Sequence, residues 1–567
     1  MDVCEPALPK SRLPTSVPSQ AGVSDFPQKL LNLIDSRRRW FFLAILLLYA
    51  LGFNGQWRIE RDSALYLTIG RNIFHGHGYS YQGRHESMAY PGLPFLFAGT
   101  SRLFNTDDVL PDLVVMFLLG FACLALTYRL FLLSAGRPTA VLMTIGLAAS
   151  RLFYRYCFEL LTDLPFLLGV LAFLVGYEAV LFAPFRSREG AAVELGRPAW
   201  FDCPLLIAGL MVAVVMRPAM WILILAVILA TGWNIIRHVG RSRAVSRHLL
   251  LAVLIIAAGA IFFFSDPRRS TSGVVSQYEY YLLEKFSHPG QTFHDLFVIN
   301  LPELCESALA KALFGCPIMP GFNTLAAILV AALSCWLLWY RTLWGLFSLA
   351  TIGTLLVFKP LDRYMLPVIP LLIFAWWNFL LWLHKRLPIK WADLALLALL
   401  IAGVSTNLAR LGQMVVEQRR VPFLLHYHDG RYVSLNQLGD MVRKYTNRRD
   451  QILVGPKVAR ILTYVGHRTA LRASNDAAVD PAVPIYALIG PSWDEDGKGK
   501  VSLHEDTMVP RWVGEHGCTL GPQIGPAIQN SPEKCSWTLH RVIIGPASKI
   551  TPPARPSRQT IQDNADD

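Results

Sequence analysis

Long apolar runs separated by short polar connections occupy most of the chain between residues 40 and 411. A helix of about 20 apolar residues is long enough to cross a bilayer core of about 30 Å. The pattern therefore predicts an α-helical polytopic membrane protein. About eleven transmembrane helices are expected, at residues 40–57, 109–134, 139–157, 164–184, 204–216, 218–236, 248–264, 322–340, 343–358, 364–383 and 391–409.

Two further segments, both in the first long loop (58–108), are apolar but not counted as spans. The stretch that begins at Tyr90 has about 15 apolar residues, a length that indicates an interfacial or re-entrant segment. Residues 62–74 have the periodicity of a helix lying in the membrane interface, with apolar residues at intervals of four: Leu65, Ile69 and Ile73.

The composition supports a membrane protein and gives its expected orientation. Charged residues make up 16% of the chain, against about 25% in a typical soluble domain. The net charge of +13 would suggest nucleic acid in a soluble protein, but here the basic residues lie largely in short loops. Because basic loops remain in the cytoplasm, we expect a cytoplasmic N-terminus and an extracytoplasmic C-terminus. The membrane would be the plasma (inner) membrane in a bacterium, and no nucleic-acid partner is expected.

This orientation divides the chain into four parts. Residues 1–39 are predicted to be a cytoplasmic tail, mostly disordered, without the apolar core of a cleavable signal peptide. Residues 40–411 form the membrane domain, whose long loops 58–108 and 265–321 face outside. Residues 412–548 are predicted to form a small extracytoplasmic α/β domain, and 549–567 a disordered tail. Strands are expected at 451–454, 484–489 and 537–544.

The nine cysteines are scattered. Two pairs fall in segments expected outside, where an oxidising compartment would allow a disulfide in each: Cys305 with Cys316, and Cys518 with Cys535. The others lie largely in or near apolar spans, and no spacing typical of a zinc site occurs.

Three ionic clusters fall at the predicted outer membrane surface, where each charge is costly. The first is Glu60-Arg61-Asp62, in which Asp62 is either a helix N-cap or a carboxylate that acts on a lipid-linked substrate. The second contains Glu159 and Asp163, whose spacing of four would place both carboxylates on one helix face. The alternative role of this cluster is again to cap a helix. Arg151 and Arg155 are nearby in the sequence and would neutralise the two carboxylates.

The third cluster is Lys359-Pro-Leu-Asp362-Arg363-Tyr364. Its cations suit a phosphate, although Lys, Arg and Tyr also serve as ordinary interfacial anchors. A lipid phosphate needs cations, and transfer of a group to a hydroxyl or amine needs a base, so the clusters together indicate group transfer at this surface. Three histidines of the first outer loop bind a metal or are simply solvated: His75, His77 and His85.

Several of these residues resemble motifs of the GT-C class of membrane glycosyltransferases. The similarity is strongest to the protein O-mannosyltransferase and lipid A aminoarabinose transferase group and extends over most of residues 40–475. Ser63 and Gly92 depart from the family, which often has a second acidic residue and a proline there. The matching segments are Asp62 with 64–66, 71–73 and 76–79; Tyr90-Pro-Gly-Leu93; Leu161-Thr-Asp163; Met216-Arg-Pro218; 362–367; and 442–468.

The resemblance implies transfer of a sugar from a polyprenyl-phosphate donor to a lipid, glycan or protein acceptor outside the cytoplasm. Asp62 would be the catalytic carboxylate, with Asp163 and Glu159 as further candidates. The donor phosphate would bind Arg363, Lys359 and Tyr364. No metal-binding residue is assigned and no cofactor is required, although a divalent metal remains an option.

The main alternative is a transporter or flippase of a lipid-linked glycan. Such a protein is expected to carry polar residues at mid-membrane and an inverted repeat. The predicted span centres are almost wholly apolar, and no repeat is evident. A structural membrane scaffold, the third option, would leave the ionic clusters unexplained.

Overall fold

The structure is a computed structural model. It describes residues 26–186, 202, 204–237, 253, 285, 287–314, 320–420 and 430–546, except positions 59, 83, 87, 88, 286, 359, 387, 388, 456–457, 474–478, 496–500, 506 and 530–535. The predicted span at 248–264 lies almost wholly outside the described residues, as do Lys359, Cys316, Cys535 and the C-terminal tail. The two disulfides therefore stay predictions.

The first 420 residues are helical in nearly all of their described part. A 3-10 helix, Asp362–Val368, lies directly before Ile369, and the helical segment 289–314 contains two π-helical turns, Asp295–Asn300 and Leu304–Leu309. The helices are α1 Phe26–Ser36, α2 Arg38–Gly52, α3 Arg61–Phe74, α4 Gly92–Phe104, α5 Val109–Ala135, α6 Arg137–Ala149, α7 Arg151–Tyr156, α8 Asp163–Arg186, α9 Pro204–Met216, α10 Met220–Arg237, α11 (289–314), α12 Pro320–Tyr340, α13 Thr342–Val357, α14 Ile369–Arg386 and α15 Ile389–Arg420.

The protein is an integral membrane protein. Within the described residues, five helical segments are long and apolar enough to cross a membrane: Val109–Ala135, Asp163–Val180, Gly321–Tyr340, Asp362–Arg386 and Trp391–Arg420. The shorter helices α6, α9, α10 and α13 are also apolar. Each of these helices overlaps a predicted span, while the total number of spans and their orientation stay predictions.

Two boundaries differ from the predictions near the chain's start. The first span was expected at 40–57, but α2 ends at Gly52, and Asn54 donates a hydrogen bond to the Gln418 carbonyl at 3.1 Å. Part of the predicted tail is helical, because α1 is amphipathic and its Asp35 pairs with Arg137 at 2.9 Å.

The predicted span 139–157 is broken, and the expected shared helix face of Glu159 and Asp163 is wrong. The backbone of Ser150 is extended between α6 and α7, and the next N–H, of Arg151, donates to the Asn407 side chain at 3.2 Å. Residues 157–162 form no helix, so Glu159 lies in a turn while Asp163 begins α8. Pro165 suits this first turn, where its missing N–H has no helical partner.

Helix α8 is the centre of the bundle, buried over nearly its whole apolar length. It packs backbone to backbone against α9 at two glycines. A Cβ on Gly209 would lie 2.6 Å from the Gly169 carbonyl, and one on Gly169 would lie 2.9 Å from the Gly209 carbonyl. Small residues allow this close approach between membrane helices. The contact fixes the first residue of α8 and the residues after α9 at the same end of the bundle.

Residues 430–546 form an α/β unit after α15. Its strands β3, β4 and β5 are parallel, while β10 pairs antiparallel with β5 and β8 in the order β4-β3-β5-β10-β8. The predicted strands are present at β3, β5 and β10. The elements are α16 Gly430–Tyr445, β3 Gln451–Val454, α17 Ala459–Gly466, β4 Thr469–Arg472, β5 Ile485–Ile489, β6 Pro491–Glu495, β7 Val501–Glu505, α18 Met508–Glu515, β8 Cys518–Gln523, β9 Ile528–Gln529 and β10 Ser536–Ile544.

The α/β unit lies against α3 and against a hairpin that precedes α4, β1 Ser80–Tyr81 and β2 Arg84–His85. Arg71 of α3 donates to the Tyr464 carbonyl at 3.0 Å, and its guanidinium lies 4.1 Å from the centre of that ring. Burial, together with Arg71, lowers the pKa of His467 to about 4. This histidine is therefore neutral at physiological pH and adds no charge against Arg71.

Candidate active site

One pocket brings together segments that are far apart in the sequence. It contains about 400 Å³ of space not filled by protein atoms. The segments come from the start of α3, the residues before α4, the start of α8, the end of α9 and the 3-10 helix before α14. The lining residues are Asp62, Tyr66, Tyr90, Leu161, Thr162, Asp163, Met216, Arg217, Pro218, Arg363 and Tyr364.

Asp62 lies in the first turn of α3 but does not hold its N-cap position. That position belongs to Glu60, whose backbone N–H donates to Ser63 Oγ at 3.1 Å. The Asp62 carboxylate, 40% exposed, instead contacts two arginines: Arg363 Nη2 lies 3.3 Å from Oδ2, and Arg460 Nη1 lies 3.1 Å from Oδ1. Of the two interpretations of Asp62, the geometry therefore favours a carboxylate at the pocket.

Ser63 stabilises the turn before α3, so the local structure does not require a second acidic residue beside Asp62. Its hydroxyl is buried, donates to the Glu60 carbonyl at 2.7 Å and accepts from Trp57 Nε1 at 3.0 Å. The residue thus ties the turn before α3 together. Because it is bonded inside the turn, Ser63 is not available to a ligand.

Asp163 forms a buried ion pair with Arg217. The Asp163 side chain is only 1% exposed, and its Oδ1 accepts from Arg217 Nη1. Within the described residues, Asp163 Oδ2 has no hydrogen-bond partner. The Arg217 guanidinium also lies 4.5 Å from the centre of the Tyr364 ring. The pair joins α8 and α9 at the wall of the pocket.

Arg363 lies near the same tyrosine ring. Its guanidinium is 5.2 Å from the centre of Tyr364, the next residue in the 3-10 helix. Its Nε is buried and makes no hydrogen bond within the described part of the chain. Two guanidinium groups and one aromatic ring thus form a cationic wall. Asp362 faces elsewhere and lies 3.7 Å from Lys311 Nζ.

Glu159 does not line the pocket. Its buried carboxylate accepts from Arg155 Nε at 2.6 Å and lies 3.9 Å from Arg58 Nη1. Arg155 also approaches Glu60, with 3.8 Å between Nη2 and Oε1. Burial, and then the charge of Glu159, raise the pKa of Glu60 to about 7. Glu159 therefore influences the pocket only through its neighbours.

The departure at Gly92 has a direct structural reason. A Cβ at this first residue of α4 would lie 2.8 Å from both the Val215 carbonyl and Met216 Sδ. Only glycine allows α4 to begin this close to the end of α9. The contact keeps Tyr90 at the pocket.

The three histidines of the first long loop are not gathered around one point in the described structure. The His75 and His77 rings are 6.4 Å apart, and His85 belongs to β2. No group of three or more His, Cys, Asp or Glu residues suited to a metal ion occurs in the described ranges.

Arg460 is a residue of the site that the sequence does not predict. It lies in the α/β unit, about 400 positions from its partner Asp62, and belongs to no charge cluster. Its only sequence signal was its place within the segment 442–468, which resembles the C-terminal part of the transferase family.

Comparisons with known proteins identify the fold. No protein-family model matches the chain, and no curated protein sequence matches it. Among solved structures, the apo form of the oligosaccharyltransferase from Archaeoglobus fulgidus matches with a TM-score of 0.52 and 10% identity. The match covers 82% of this chain and 74% of that one. The chain has a GT-C fold.

A second structure is similar over nearly its whole length. ArnT from Cupriavidus metallidurans, bound to undecaprenyl phosphate, covers 90% of this chain and 98% of its own, with 11% identity and a TM-score of 0.49. The fold is identified by the similarity to the oligosaccharyltransferase.

Proposed function

We propose that the protein is a glycosyltransferase that moves a sugar from a polyprenyl-phosphate donor to a lipid, glycan or protein acceptor on the extracytoplasmic face. The observation that carries this proposal is the pocket at one end of the membrane helices. There a partly exposed carboxylate, Asp62, lies beside a wall made by Arg217, Tyr364 and Arg363. The GT-C fold, shared with an oligosaccharyltransferase, supports the same class of reaction.

The cationic wall suits the donor phosphate. A polyprenyl chain lies among membrane helices, so its phosphate is held where those helices end, which is where the pocket is. Arg217 is already neutralised by Asp163, whereas Arg363 keeps a buried Nε that makes no hydrogen bond among the described residues. Arg363 is therefore the principal phosphate ligand in this proposal. Lys359, just before this 3-10 helix, and Tyr364 assist it.

The chemical step needs one base and no nucleotide. The acceptor's hydroxyl or amine attacks the anomeric carbon of the sugar, and its proton passes to Asp62. The bond from that carbon to the phosphate oxygen breaks, and its electron pair leaves with the polyprenyl phosphate. In-line attack inverts the anomeric centre. The exposure of Asp62 gives an acceptor access to its carboxylate.

The other two predicted carboxylates are proposed to support this step from a distance. Asp163 holds Arg217 against Tyr364 and so positions the cationic wall. Glu159 holds Arg155, which lies next to Glu60 at the start of α3. Both are positioning residues in this mechanism.

The substitution Asp62→Asn tests the proposal. It keeps the shape of the side chain but removes the base, so we expect transfer to fall by about 10²–10⁴-fold. Folding should be unaffected, because the N-cap of α3 is Glu60. The matched control is Asp440→Asn, at an exposed position of α16, which should leave the rate unchanged.

The assay requires the natural sugar and acceptor. Mass spectrometry of glycolipids and glycoproteins from a deletion strain identifies both, and transfer from the corresponding polyprenyl-phosphate sugar is then measured with purified protein. If the Asn variant keeps more than about a tenth of the rate, Asp62 is not the base. Glu60 would then be the next candidate.

A further inference from the structure

The α/β unit places an arginine beside the pocket, in contact with Asp62. Arg460, the second residue of α17, lies 3.1 Å from Asp62 Oδ1. Its position is fixed because α17 packs against α3, where Tyr464 contacts Arg71 and its ring meets that of Trp57 edge-on at 5.1 Å. The Arg460 side chain is still 36% exposed, so a ligand in the pocket can reach it.

Two arginines hold the two oxygens of one carboxylate. Arg363 binds Oδ2 of Asp62 and Arg460 binds Oδ1. Phosphate oxygens accept hydrogen bonds from guanidinium groups in the same way, and more strongly when two arginines converge on them. The carboxylate thus occupies an arrangement of donors that also suits a phosphate.

The charge of the pocket matches a single phosphodiester. Among the described residues that line the pocket or contact Asp62, three are arginines (Arg217, Arg363 and Arg460) and two are carboxylates (Asp62 and Asp163). One positive charge is therefore left over. A polyprenyl-phosphate sugar carries one negative charge, which would neutralise it.

We propose that Arg460 is a phosphate-binding residue. This inference rests on the proposed function and deepens it. When the donor binds, Arg460 and Arg363 move from Asp62 to oxygens of the phosphate, and Asp62 becomes free to accept the acceptor's proton. When the sugar leaves, the electron pair of the broken bond gives the phosphate a second negative charge. Both arginines then bind more strongly, and they stabilise the transition state in which that charge develops.

The opposing interpretation is that Arg460 only anchors the α/β unit to α3 through Asp62. Substitution of Asp62 separates the two interpretations. In Asp62→Asn the ion pair that would anchor the unit is removed, so a further change of Arg460 weakens phosphate binding strongly only if the arginine binds the phosphate itself. The same variant should bind a polyprenyl phosphate more tightly than wild type, because no carboxylate competes for the two guanidinium groups.

The experiment measures the dissociation constant of a polyprenyl monophosphate for the full-length protein in nanodiscs of phosphatidylcholine. We expect Arg460→Gln to weaken binding by about 10- to 100-fold, both in wild type and in the Asp62→Asn background. Arg460→Lys should have a smaller effect, since it keeps the charge and loses the two-pronged contact. The matched control is Arg511→Gln, at an exposed arginine of α18.

Each outcome decides between the interpretations. Unchanged affinity of Arg460→Gln in the Asp62→Asn background would overturn the inference and leave the proposed function intact. Failure of wild type to bind the polyprenyl monophosphate would overturn both. Equal competition by phosphatidylglycerol or inorganic phosphate would show a site for any phosphate anion and contradict a donor site.

Discussion

At the residue scale, the pocket depends on which charges are already neutralised. Asp163 is paired and buried, so Arg217 has little charge left for a ligand. Asp62 is partly exposed and shares two arginines that come from distant parts of the chain. A ligand that binds Arg363 and Arg460 must compete with Asp62 for them. The same carboxylate is therefore suited both to hold the arginines in the empty pocket and to act as base in the loaded one.

The donor role of Arg363 gives a kinetic prediction. Arg363→Ala should raise the KM for the donor by more than the KM for the acceptor, because it removes a charge-assisted contact of about 1.5–3 kcal/mol. Steady-state rates with each substrate varied in turn measure the two constants. Arg511→Ala is the control. Donor dependence equal to that of wild type would make Arg363 an interfacial anchor only.

Glu60 gives a prediction for pH. Burial raises its pKa from 4.5 to about 7, so the folded state holds this proton more tightly than the unfolded state. The resulting stability is fully present below about pH 4.5 and is lost as the pH rises to about 7. Glu60→Gln does not titrate, so its stability relative to wild type should increase across this window. Thermal unfolding midpoints in detergent at pH 5, 6, 7 and 8 test this, and a constant difference would contradict it.

The sequence located the pocket's residues better than it located their partners. The segments around Asp62, Asp163 and Arg363 stand out as ionic clusters, because charges at a membrane surface are costly. Those around Tyr90 and Arg217 stand out by their resemblance to motifs of the transferase family. The sequence does not predict Arg460, because an arginine in a small domain outside the membrane does not stand out from the other polar residues around it. The joint position of these residues depends on helix packing that periodicity does not encode.

At the scale of elements, the structure differs from the predicted spans where a backbone N–H forms a hydrogen bond outside its own helix. Apolar periodicity runs through 139–157, but Ser150 is extended and the following N–H bonds to Asn407 of α15. This contact between distant helices cannot be read from a local pattern. The break nevertheless has a function in the fold, because it lets α8 begin at Asp163, beside Arg217.

The α8–α9 contact gives a stability prediction. Gly209→Ala places a Cβ 2.6 Å from the Gly169 carbonyl, and a helix backbone cannot move aside as a flexible side chain can. We expect a clear loss of thermal stability and, since the contact positions Arg217, of transfer activity. The control is Gly232→Ala in α10, where a Cβ meets nothing within 4 Å and stability should be unchanged or slightly higher. Equal unfolding midpoints for the two variants would contradict the prediction.

At the scale of the whole molecule, the pocket and the α/β unit share one end of the bundle, and the connection that contains Arg341 lies at the other. The contact between Arg460 and Asp62 places the α/β unit at the end where the pocket lies. Arg341, in the connection between α12 and α13, lies at the opposite end. It is 3.4 Å from Glu178 and donates a hydrogen bond to the Ser134 carbonyl at 3.3 Å. Glu178 is roughly 22 Å along α8 from Asp163, at 1.5 Å per residue.

This arrangement gives the last prediction, that residues 430–546 and the pocket lie outside the cytoplasm together. Basic connections remain in the cytoplasm, so the opposite end of α8 faces outside. A reporter that is active only in the cytoplasm, fused after Asp567, should be silent, and a phosphatase that folds only outside should be active. The control fuses both reporters after Arg341, where the pattern should reverse. A strong cytoplasmic signal after Asp567 would move the α/β unit inside, and Asp62 with it, because Arg460 binds that carboxylate. The proposed extracytoplasmic location of the reaction would then be wrong, even with a polyprenyl-phosphate donor.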